Sequence, residues 1–570
     1  MTSSNDLGPP VYRGSPTGLP CRWHGLELIA RAVSADTSAI CFITICWILA
    51  VVLVNPIGEF PSVDDWAYVW AVRSLVEHGE FRLHPWTAPN LLSQVLWGAL
   101  FAFPLGATYT TLRASTLVAA LLGALAVFRL IRDEDRPISV ALFAALVLLF
   151  NPISFALSFT FMTDVPFVAA QTGAMLFLMK GLRTGSRSAS AVGWSLASVA
   201  LLCRQTGLAI PIAYAGAYLV KNGCSGKRLA LSALPLAVLL CLQWAYQYWL
   251  AASGRIPLQF GQQLDLMLPT FTGPTSAAVM HIFELAKFEF FYLGLFLLPI
   301  SIVLAGSIVS ALPRNVAGLL IISVVATTAA LALWSGQTMP VWFDTLRFNG
   351  IGPHSGGIIP PQNFWLIVTV LAELGGTLLF TSIFYAAYNL LAPHGNINTK
   401  CSLAFALLGA GSLSVPISLI DTFMRFDRYL LPIVPWLSLA LASSTKRANL
   451  ARAPTVLGAI FICLMAGYSV VNVHNLLAEK RVIIKALDDL GKEGVPRYSI
   501  DASWIFNGET LYGLYGKKNS EVGWYRSRDY VVGPWQEPDY KLLRTYPVDR
   551  WSIWGLKGTD VFVWRRSSID

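Results

Sequence analysis

Charged residues are scarce in this sequence: of 570 residues, 13% are charged and 55% are hydrophobic. With a mean hydropathy of +0.58, this composition excludes an ordinary soluble globule and indicates an integral membrane protein. The eight cysteines include no CxxC pair and no zinc-ligand spacing, so we interpret them as small buried apolar residues. No internal repeat or long low-complexity segment stands out, which leaves the apolar runs as the main guide to the architecture.

Long apolar runs are abundant, and many approach the ~20 residues that a helix needs to span a bilayer. We therefore predict an all-α polytopic membrane protein of about 13 transmembrane helices. The predicted spans are approximately residues 38–55, 111–131, 137–157, 164–181, 189–204, 206–221, 229–250, 284–311, 316–335, 364–391, 401–420, 429–444 and 453–473.

The net charge of +9 fits a membrane topology better than a nucleic-acid partner, so we predict no nucleic-acid binding. Lys and Arg gather on cytoplasmic loops, and an N-terminus inside puts most basic loops on that side. No cleavage site follows the first span, so we interpret it as a retained helix. The predicted parts are a cytoplasmic tail (1–37), a transmembrane domain (38–474) with a long first outer loop (56–110), and a soluble, extracytoplasmic α+β domain (475–570). We favour a bacterial inner membrane.

Two stretches of the first outer loop have apolar residues at helical spacing. Asp65 to His78 is amphipathic, and residues 91–103 form a shorter apolar run. We predict interfacial helices anchored by their tryptophans. The alternative for residues 91–103 is a true span.

An acidic pair, Asp64 and Asp65, lies just outside the first span. Ionisable groups at membrane boundaries are costly and tend to mark functional sites. The pair is a candidate for a catalytic base, for a metal-ligand pair, or for the N-cap of the helix that follows. A cap needs only one carboxylate, and two adjacent ones repel each other, so we favour a functional role.

Asp164 and Arg204 interrupt later apolar segments on the same predicted face. Asp164 precedes Pro166 at the start of a span, where a helix cap is the alternative to a functional role. Arg204 suits a phosphate because of its rigid guanidinium fork, and the alternative is an intramolecular salt bridge. Their shared face with the acidic pair favours a common site.

Two more arginines, Arg425 and Arg428, open a late span from this face, followed by Tyr429. Two arginines at a membrane boundary suit a lipid phosphate, and interfacial anchoring of the helix is the alternative. The preceding loop, residues 336–363, is rich in Gly and Pro and could act as a mobile lid.

Four motifs resemble those of the GT-C superfamily of glycosyltransferases. The resemblance is greatest to the branch that contains protein O-mannosyltransferases and lipid A aminoarabinose transferases. The sequence departs from it at Ala88-Pro89-Asn90-Leu91, where many relatives have a charged run. The motifs are Asp64-Asp65-Trp66-Ala67-Tyr68, Leu112-Arg113-Ala114-Ser115, Thr163-Asp164-Val165-Pro166 and Arg428-Tyr429-Leu430-Leu431-Pro432.

The resemblance implies transfer of a sugar from a polyprenyl-phosphate donor, on the outer face and with inversion, to a glycan, lipid or protein acceptor. It implies Asp64 or Asp65 as the base, and Asp164 as a catalytic residue that orients the acceptor, supports the base or binds a metal. Relatives differ in metal use, so a divalent cation (Mg, Mn or Zn) held by Asp64 and Asp164 stays open. The residues implied to bind the donor and its phosphate are Tyr68, Arg204, Arg425, Arg428 and Tyr429.

Two functions of other classes remain as alternatives. A transporter or flippase of a lipid-linked sugar would carry charged or broken helices near the bilayer midplane and repeat-related halves. Here the carboxylates lie at one face and no repeat is visible. A structural or assembly protein would tolerate loss of the acidic pair. The sequence predicts no oligomeric state.

Overall fold

Helices dominate the part of the chain that this computed structural model describes, and they confirm the predicted all-α polytopic fold. The described residues are 21–260, 275–309, 341, 344–352, 360–419, 426–444, 450–515, 528–552 and 558–567. In chain order the helices are α1 (Cys21–Val54), α2 (Asp65–His78), α3 (Leu92–Leu105), α4 (Tyr109–Arg132), α5 (Ile138–Phe150), α6 (Pro152–Ser158), α7 (Asp164–Thr184), α8 (Arg187–Cys203), α9 (Ala209–Asn222), α10 (Gly226–Ala252), α11 (Thr275–Val309), α12 (Gln362–Leu391), α13 (Ile397–Leu419), α14 (Ile433–Ser444), α15 (Arg452–Lys492) and α16 (Ser503–Tyr515).

Eight of the described helices are long and apolar enough to cross a membrane: α1, α4, α7, α10, α11, α12, α13 and α15. The pair α5–α6, bent by 60° at its break, is a further candidate span. These helices confirm a multi-pass membrane protein. The number 13 is not reproduced among the described residues, because α8, α9 and α14 have only 17, 14 and 12 residues. The predicted span 316–335 lies outside the described residues.

Arg204 divides an apolar stretch into two helices, as predicted. Its extended backbone, with φ −144° and ψ 140°, separates α8 from a 3-10 turn at Gln205–Leu208, and that turn leads into α9. Both helices pack against α7. The break therefore sets Arg204 at the same end of this three-helix group as Asp164, the first residue of α7.

The segment predicted as the first outer loop contains the predicted helix α2, which occupies Asp65–His78. Its first five residues, Asp65 to Val69, are buried on all sides, and its last two, Glu77 and His78, are exposed. The helix ends at Gly79, whose φ of 69° is left-handed and favours glycine. α3 has 14 residues, fewer than a straight span requires.

Glycines bring α11 and α12 into backbone contact. A Cβ added to Gly294 of α11 would lie 2.2 Å from the backbone nitrogen of Gly376, and one added to Gly375 of α12 would lie 2.1 Å from the Gly294 carbonyl oxygen. Such distances are far below van der Waals contact with backbone atoms that cannot turn away. The crossing of these two helices therefore depends on glycine.

A four-stranded sheet follows the last long helix, in the region predicted to be α+β. α15 runs unbroken through the predicted domain boundary at 475, so that boundary stays a prediction. The strands of the described residues are β1 (Leu346–Arg347) and β2 (Gly350–Ile351), a hairpin before α12, then β3 (Ile500–Asp501), β4 (Tyr530–Gly533), β5 (Tyr540–Tyr546) and β6 (Val561–Arg566). In the four-stranded sheet the order is β3-β4-β6-β5; β3 pairs with β4 in parallel, and the other neighbours are antiparallel.

A buried ion pair joins this sheet region to α15. The Arg550 guanidinium lies 2.6 Å from the Glu479 carboxylate, and both side chains are 5% exposed. In addition, the Asn475 side chain exchanges hydrogen bonds with the Trp551 backbone, at 2.9 Å and 2.8 Å. The C-terminal region is therefore attached along the side of the helix rather than only at its end.

Candidate functional site

Asp64 occupies the N-cap position of α2, but its side chain does not cap the helix. One carboxylate oxygen, Oδ1, accepts a hydrogen bond of 2.9 Å from the Trp86 indole N–H. The other, Oδ2, lies 3.5 Å from Nη2 of Arg428. The cap alternative therefore does not account for this side chain, which turns toward residues distant in sequence.

Asp65, unlike Asp64, hydrogen-bonds to backbone groups and contacts no arginine side chain in a salt bridge among the described residues. Its side chain is buried and accepts hydrogen bonds from the backbone N–H groups of Ser62 (2.6 Å) and Phe161 (3.2 Å). Burial raises the pKa of this carboxyl group to about 7, against the partial opposition of these hydrogen bonds and of the Arg113 charge. Asp65 thus ties the start of α2 to the segment that leads into α7.

Asp164 and Arg204 form an ion pair at the start of α7. The Asp164 side chain is fully buried, and its second oxygen, Oδ2, has no hydrogen-bond partner among the described residues. The Arg204 guanidinium lies 5.7 Å from the centre of the Tyr429 ring. Arg204 therefore forms the intramolecular salt bridge that was the alternative to phosphate binding. This salt bridge leaves Oδ2 of Asp164 without a hydrogen bond among the described residues.

Arg428 contacts acidic residues from two segments that are far apart in the sequence. Its guanidinium contacts Asp64, lies 3.7 Å from Asp344, and stacks 4.5 Å from the Phe426 ring. Burial by itself lowers the pKa of Arg428, but Asp344, Asp64 and Asp164 together raise it well above its usual range. Its Nη1 group is buried and has no acceptor among the described residues.

Two further acids, Asp344 and Asp427, belong to the site although sequence reasoning did not select them. Asp427 accepts hydrogen bonds from the backbone N–H groups of Thr345 (3.2 Å) and Leu346 (2.7 Å), and thereby holds β1 against the turn that carries Arg428. Burial and the neighbouring Asp344 carboxylate raise the pKa of Asp427 well above its usual range. Asp427 stands beside Arg428 in the sequence, and that adjacency was the available signal.

The two predicted tyrosines also lie here, whereas Arg425 lies outside the described residues. Tyr68, one turn into α2, is buried, and both burial and the Asp64 charge raise its pKa far above the ordinary value. Tyr429 lies under Arg204. The structure thus brings together six of the predicted residues at one end of the bundle: Asp64, Tyr68, Asp164, Arg204, Arg428 and Tyr429.

The side chains around Asp64 and Asp164 do not form a recognisable site for a divalent cation within the described residues. No group of three His, Cys, Asp or Glu side chains in the described part of the chain could hold a metal ion. Asp64 and Asp164, the predicted ligands, each contact an arginine instead. Metal binding therefore stays a prediction from the sequence.

An aromatic cluster borders Asp64. Trp66 and Trp86 are stacked with their ring centres 6.4 Å apart, and His84 and Tyr512 lie 4.9 Å and 6.0 Å from Trp66. Burial lowers the pKa of His84 to about 4, which leaves the ring neutral at pH 7. Tyr512 belongs to α16, so the C-terminal region reaches the edge of the site.

An apolar cavity of about 450 Å³ has one wall residue in the hairpin beside the site. It lies between α11, α12 and α15, and Leu346 of β1 contributes to its wall. The backbone N–H of this leucine is bound by Asp427, the residue before Arg428. Leu346 therefore links the wall of the cavity to the turn that carries Arg428.

Comparison with known proteins gives a family match over part of the chain. Residues 94–249 match the sequence model of a family described as dolichyl-phosphate-mannose-protein mannosyltransferase. The predicted resemblance to the GT-C superfamily is confirmed. The match covers 156 of the 570 residues, so it supports the resemblance for this part of the chain. Asp164 and Arg204 lie inside the matched stretch, and Asp64 and Arg428 lie outside it.

Three solved structures are similar to the chain at low identity. ArnT from Cupriavidus metallidurans bound to undecaprenyl phosphate is 14% identical, with a TM-score of 0.43 over 81% of this chain and 73% of that one. ArnT from the same organism in the apo state is 15% identical, with a TM-score of 0.35 over 78% of each chain. Arabinosyltransferase EmbB from Mycobacterium smegmatis is 13% identical, with a TM-score of 0.30 over 84% of this chain and 44% of that one. Comparison with curated proteins gave no match. Since each TM-score is below 0.5, the geometry of the site rests on this chain alone.

Proposed function

We propose that this protein transfers a sugar from a polyprenyl-phosphate carrier to an acceptor hydroxyl at the extracytoplasmic membrane face, with inversion at the anomeric carbon. The observation that carries the proposal is the contact between the Asp64 carboxylate and the buried Arg428 guanidinium. A proton acceptor beside an anion-binding cation supplies the two groups that such a transfer needs.

Asp64 is the proposed general base. The Trp86 indole and Arg428 hold its two oxygens, so the carboxylate has a fixed orientation. It accepts the proton of the acceptor hydroxyl while that oxygen attacks the anomeric carbon. The bond from this carbon to the phosphate oxygen breaks, and its electron pair stays on the leaving polyprenyl phosphate. A single displacement of this kind inverts the anomeric configuration.

The arginines are proposed to stabilise the leaving phosphate, which gains one negative charge as the bond breaks. Arg428 offers a buried Nη1 group without an acceptor among the described residues, and a phosphate oxygen would satisfy it. Arg204 supplies a second cation and is positioned by Asp164. Tyr68 is close enough to Asp64, Arg428 and Arg204 for their charges to act on its hydroxyl group. This hydroxyl is proposed to donate a hydrogen bond to the phosphate or the sugar.

The apolar cavity is the proposed place of the first isoprene units of the donor. Phe364 and Trp365 of α12 and Tyr468 of α15 line it together with Leu346. A prenyl chain in this cavity would have its phosphate end toward the turn that carries Arg428. The link between cavity and site on which this placement depends is Leu346, whose backbone N–H is bound by Asp427.

Transfer of label from a donor lipid tests the proposal. Purified protein is incubated with radiolabelled polyprenyl-phosphate sugars and membrane extract, using wild type, Asp64→Asn and the control Glu77→Gln, an exposed carboxylate on the same helix. We expect wild type and the control to move label into a new product, and Asp64→Asn to be slower by about 100-fold or more.

Two results would contradict parts of this proposal. Transfer at the wild-type rate by Asp64→Asn would remove Asp64 from the role of base. Label that crosses the bilayer of reconstituted vesicles without forming a product would favour a transporter of the lipid-linked sugar. The labelled product of wild type identifies the acceptor as a glycan, a lipid or a protein.

A further inference from the structure

The C-terminal helix α16 packs against α2 without room for a side chain at Gly508. A Cβ added to Gly508 would lie 2.8 Å from Cζ2 and 2.9 Å from Cε2 of the Trp66 indole. Trp66 is 4% exposed, so its ring is enclosed by other groups and cannot turn into solvent. Gly508 therefore allows the backbone of α16 to lie directly on the ring that follows the acidic pair in the sequence.

Tyr512, one turn after Gly508, contacts the same aromatic group. Its ring centre lies 6.0 Å from Trp66 and 6.0 Å from Trp86, and the planes of Tyr512 and Trp86 meet at 70°. It also meets the His84 ring edge-on at 4.8 Å. Because Trp86 is stacked on Trp66 as well, α16 contacts both tryptophans of the stack and restricts the orientations open to the Trp86 ring.

The Trp86 indole carries this restriction to Asp64. Its ring N–H donates to Oδ1 of Asp64 over 2.9 Å, and its backbone N–H donates to Nδ1 of His84 over 3.1 Å. An indole has a single N–H donor, fixed in the plane of the ring. Rotation of the Trp86 ring would therefore move the donor away from the carboxylate and release one of its oxygens.

α16 is itself fixed at its start and along one side. Asp501 of β3 accepts a hydrogen bond of 2.7 Å from the Asn507 side chain in the first turns of the helix. Glu509 of α16 accepts a hydrogen bond of 2.6 Å from the Tyr109 hydroxyl at the start of α4. The sheet region and α4 thus set the position in which α16 meets the tryptophan stack.

We propose that α16 is a positioning element for the proposed base, Asp64. Gly508 and Tyr512 hold the tryptophan stack, and Trp86 thereby fixes the orientation of the carboxylate. This role rests on the function proposed above, in which Asp64 accepts the proton of the acceptor hydroxyl. A misplacement of ~1 Å can cost a reaction about 100-fold in rate, so packing at α16 contributes to transfer without contact with the reacting atoms.

Kinetics of label transfer by full-length protein in detergent test the proposal. Gly508→Ala is compared with Gly491→Ala, near the end of α15, where a Cβ meets no atom within 4 Å. We expect Gly508→Ala to lower kcat about tenfold and to leave the KM for the donor within about twofold of wild type, because the orientation of the base acts on the chemical step. Gly491→Ala should leave both constants unchanged. Tyr512→Ala removes atoms instead of adding them; it should also lower kcat, and it keeps the test valid if Gly508→Ala fails to fold.

A second readout follows the Trp86 indole without relying on activity. In protein labelled with ¹⁵N at the tryptophan indoles, Trp86→Phe identifies the Trp86 N–H signal by its loss. We expect this signal to move in Asp64→Asn, which changes its acceptor. It should also move in Gly508→Ala and Tyr512→Ala, and it should stay in place in Gly491→Ala.

Three outcomes would separate the possibilities. A Trp86 signal that stays in place in both α16 variants would overturn the proposal, even if kcat falls, because α16 would then act by another route. A higher KM with unchanged kcat would overturn it too, by assigning α16 to substrate binding. Absence of transfer by wild type, with the Trp86 signal still responding to the α16 variants, would overturn the proposed function and support the link between α16 and Asp64.

Discussion

At the scale of single residues, Arg428 joins segments that are far apart in the chain. Its guanidinium contacts Asp64 before α2, Asp344 before β1, and the ring of Phe426. A guanidinium can make these contacts at once because it is planar and presents five N–H donors in a fixed fork. A lysine ammonium carries the same charge but cannot reproduce this geometry.

We therefore expect Arg428→Lys to lower the rate of sugar transfer by about 100-fold while the protein stays folded. The control is Arg82→Lys, since Arg82 is exposed and pairs only with Glu80 in the described structure. The rate of label transfer is the measurement. Equal rates for Arg428→Lys and wild type would mean that charge alone, without the fork, suffices.

Asp65 gives a prediction about pH. Its pKa in the folded protein is about 7, against an ordinary value of 3.8, so the folded state binds a proton more tightly than the unfolded state does. The stabilisation is complete below the ordinary value and is lost as the pH rises through about 7. Thermal unfolding in detergent should therefore occur at a lower temperature at pH 8 than at pH 5.

Asp65→Asn should remove this pH dependence, because an amide does not titrate. It should also destabilise the protein by about 1–3 kcal/mol, since its NH2 group would face the backbone N–H of either Ser62 or Phe161. Glu77→Gln on the same helix should leave both the pH dependence and the unfolding temperature at their wild-type values. A pH dependence unchanged in Asp65→Asn would assign it to another group.

The sequence predicted part of the site at this scale. A shared membrane face was enough to group Asp64, Asp164, Arg204 and Arg428. Trp86, Asp344 and Asp427 were not selected, because their roles depend on long-range contacts with Asp64, Arg428 and backbone amides. An acid in a loop rich in Gly and Pro has the same sequence signature whether it is solvated or buried.

At the scale of elements, the contact of α11 with α12 depends on the absence of side chains. Gly294→Ala would push a methyl group against the backbone of Gly376, at 2.2 Å. The clash should exceed the ~1 kcal/mol that alanine gains over glycine in a helix, and we expect a net loss of about 1–3 kcal/mol.

Gly306 on the same helix is the matched control, because a Cβ there meets no atom within 4 Å. Gly306→Ala should leave stability unchanged or raise it slightly through helix propensity. Thermal unfolding of both variants in detergent is the measurement. Destabilisation of equal size at both positions would show that the effect is not one of packing between the two helices.

Helix positions were more predictable than helix roles. α2 matches its amphipathic pattern from first to last residue, and the break at Arg204 follows from a charge inside an apolar run. Hydropathy could not separate spans from shorter buried helices such as α14, because both are apolar on all sides. The predicted number of 13 spans is therefore not confirmed, and one of these spans, 316–335, lies outside the described residues.

At the scale of the whole molecule, buried charges connect the C-terminal region to α15. Arg550→Ala would remove the buried partner of Glu479, and we expect a loss of about 3 kcal/mol together with faster proteolysis after residue 492. Arg544→Ala removes a second ion pair, with Glu493, whose side chains are 43% and 46% exposed. That control should cost less than about 1 kcal/mol. Similar losses for the two variants would contradict a special role of the buried pair.

α15 continues without a break well beyond the length of a single membrane span. Its 41 residues extend ~60 Å, about twice the ~30 Å hydrocarbon thickness of a bilayer. Everything after the helix is therefore carried at a fixed height and a fixed rotational phase. One inserted residue would lift the sheet by ~1.5 Å and turn it by ~100°, carrying Tyr512 away from Trp66. The C-terminal half of α15 thus sets the distance and the orientation of the sheet, and changes in its length should be tolerated only when they preserve helical phase.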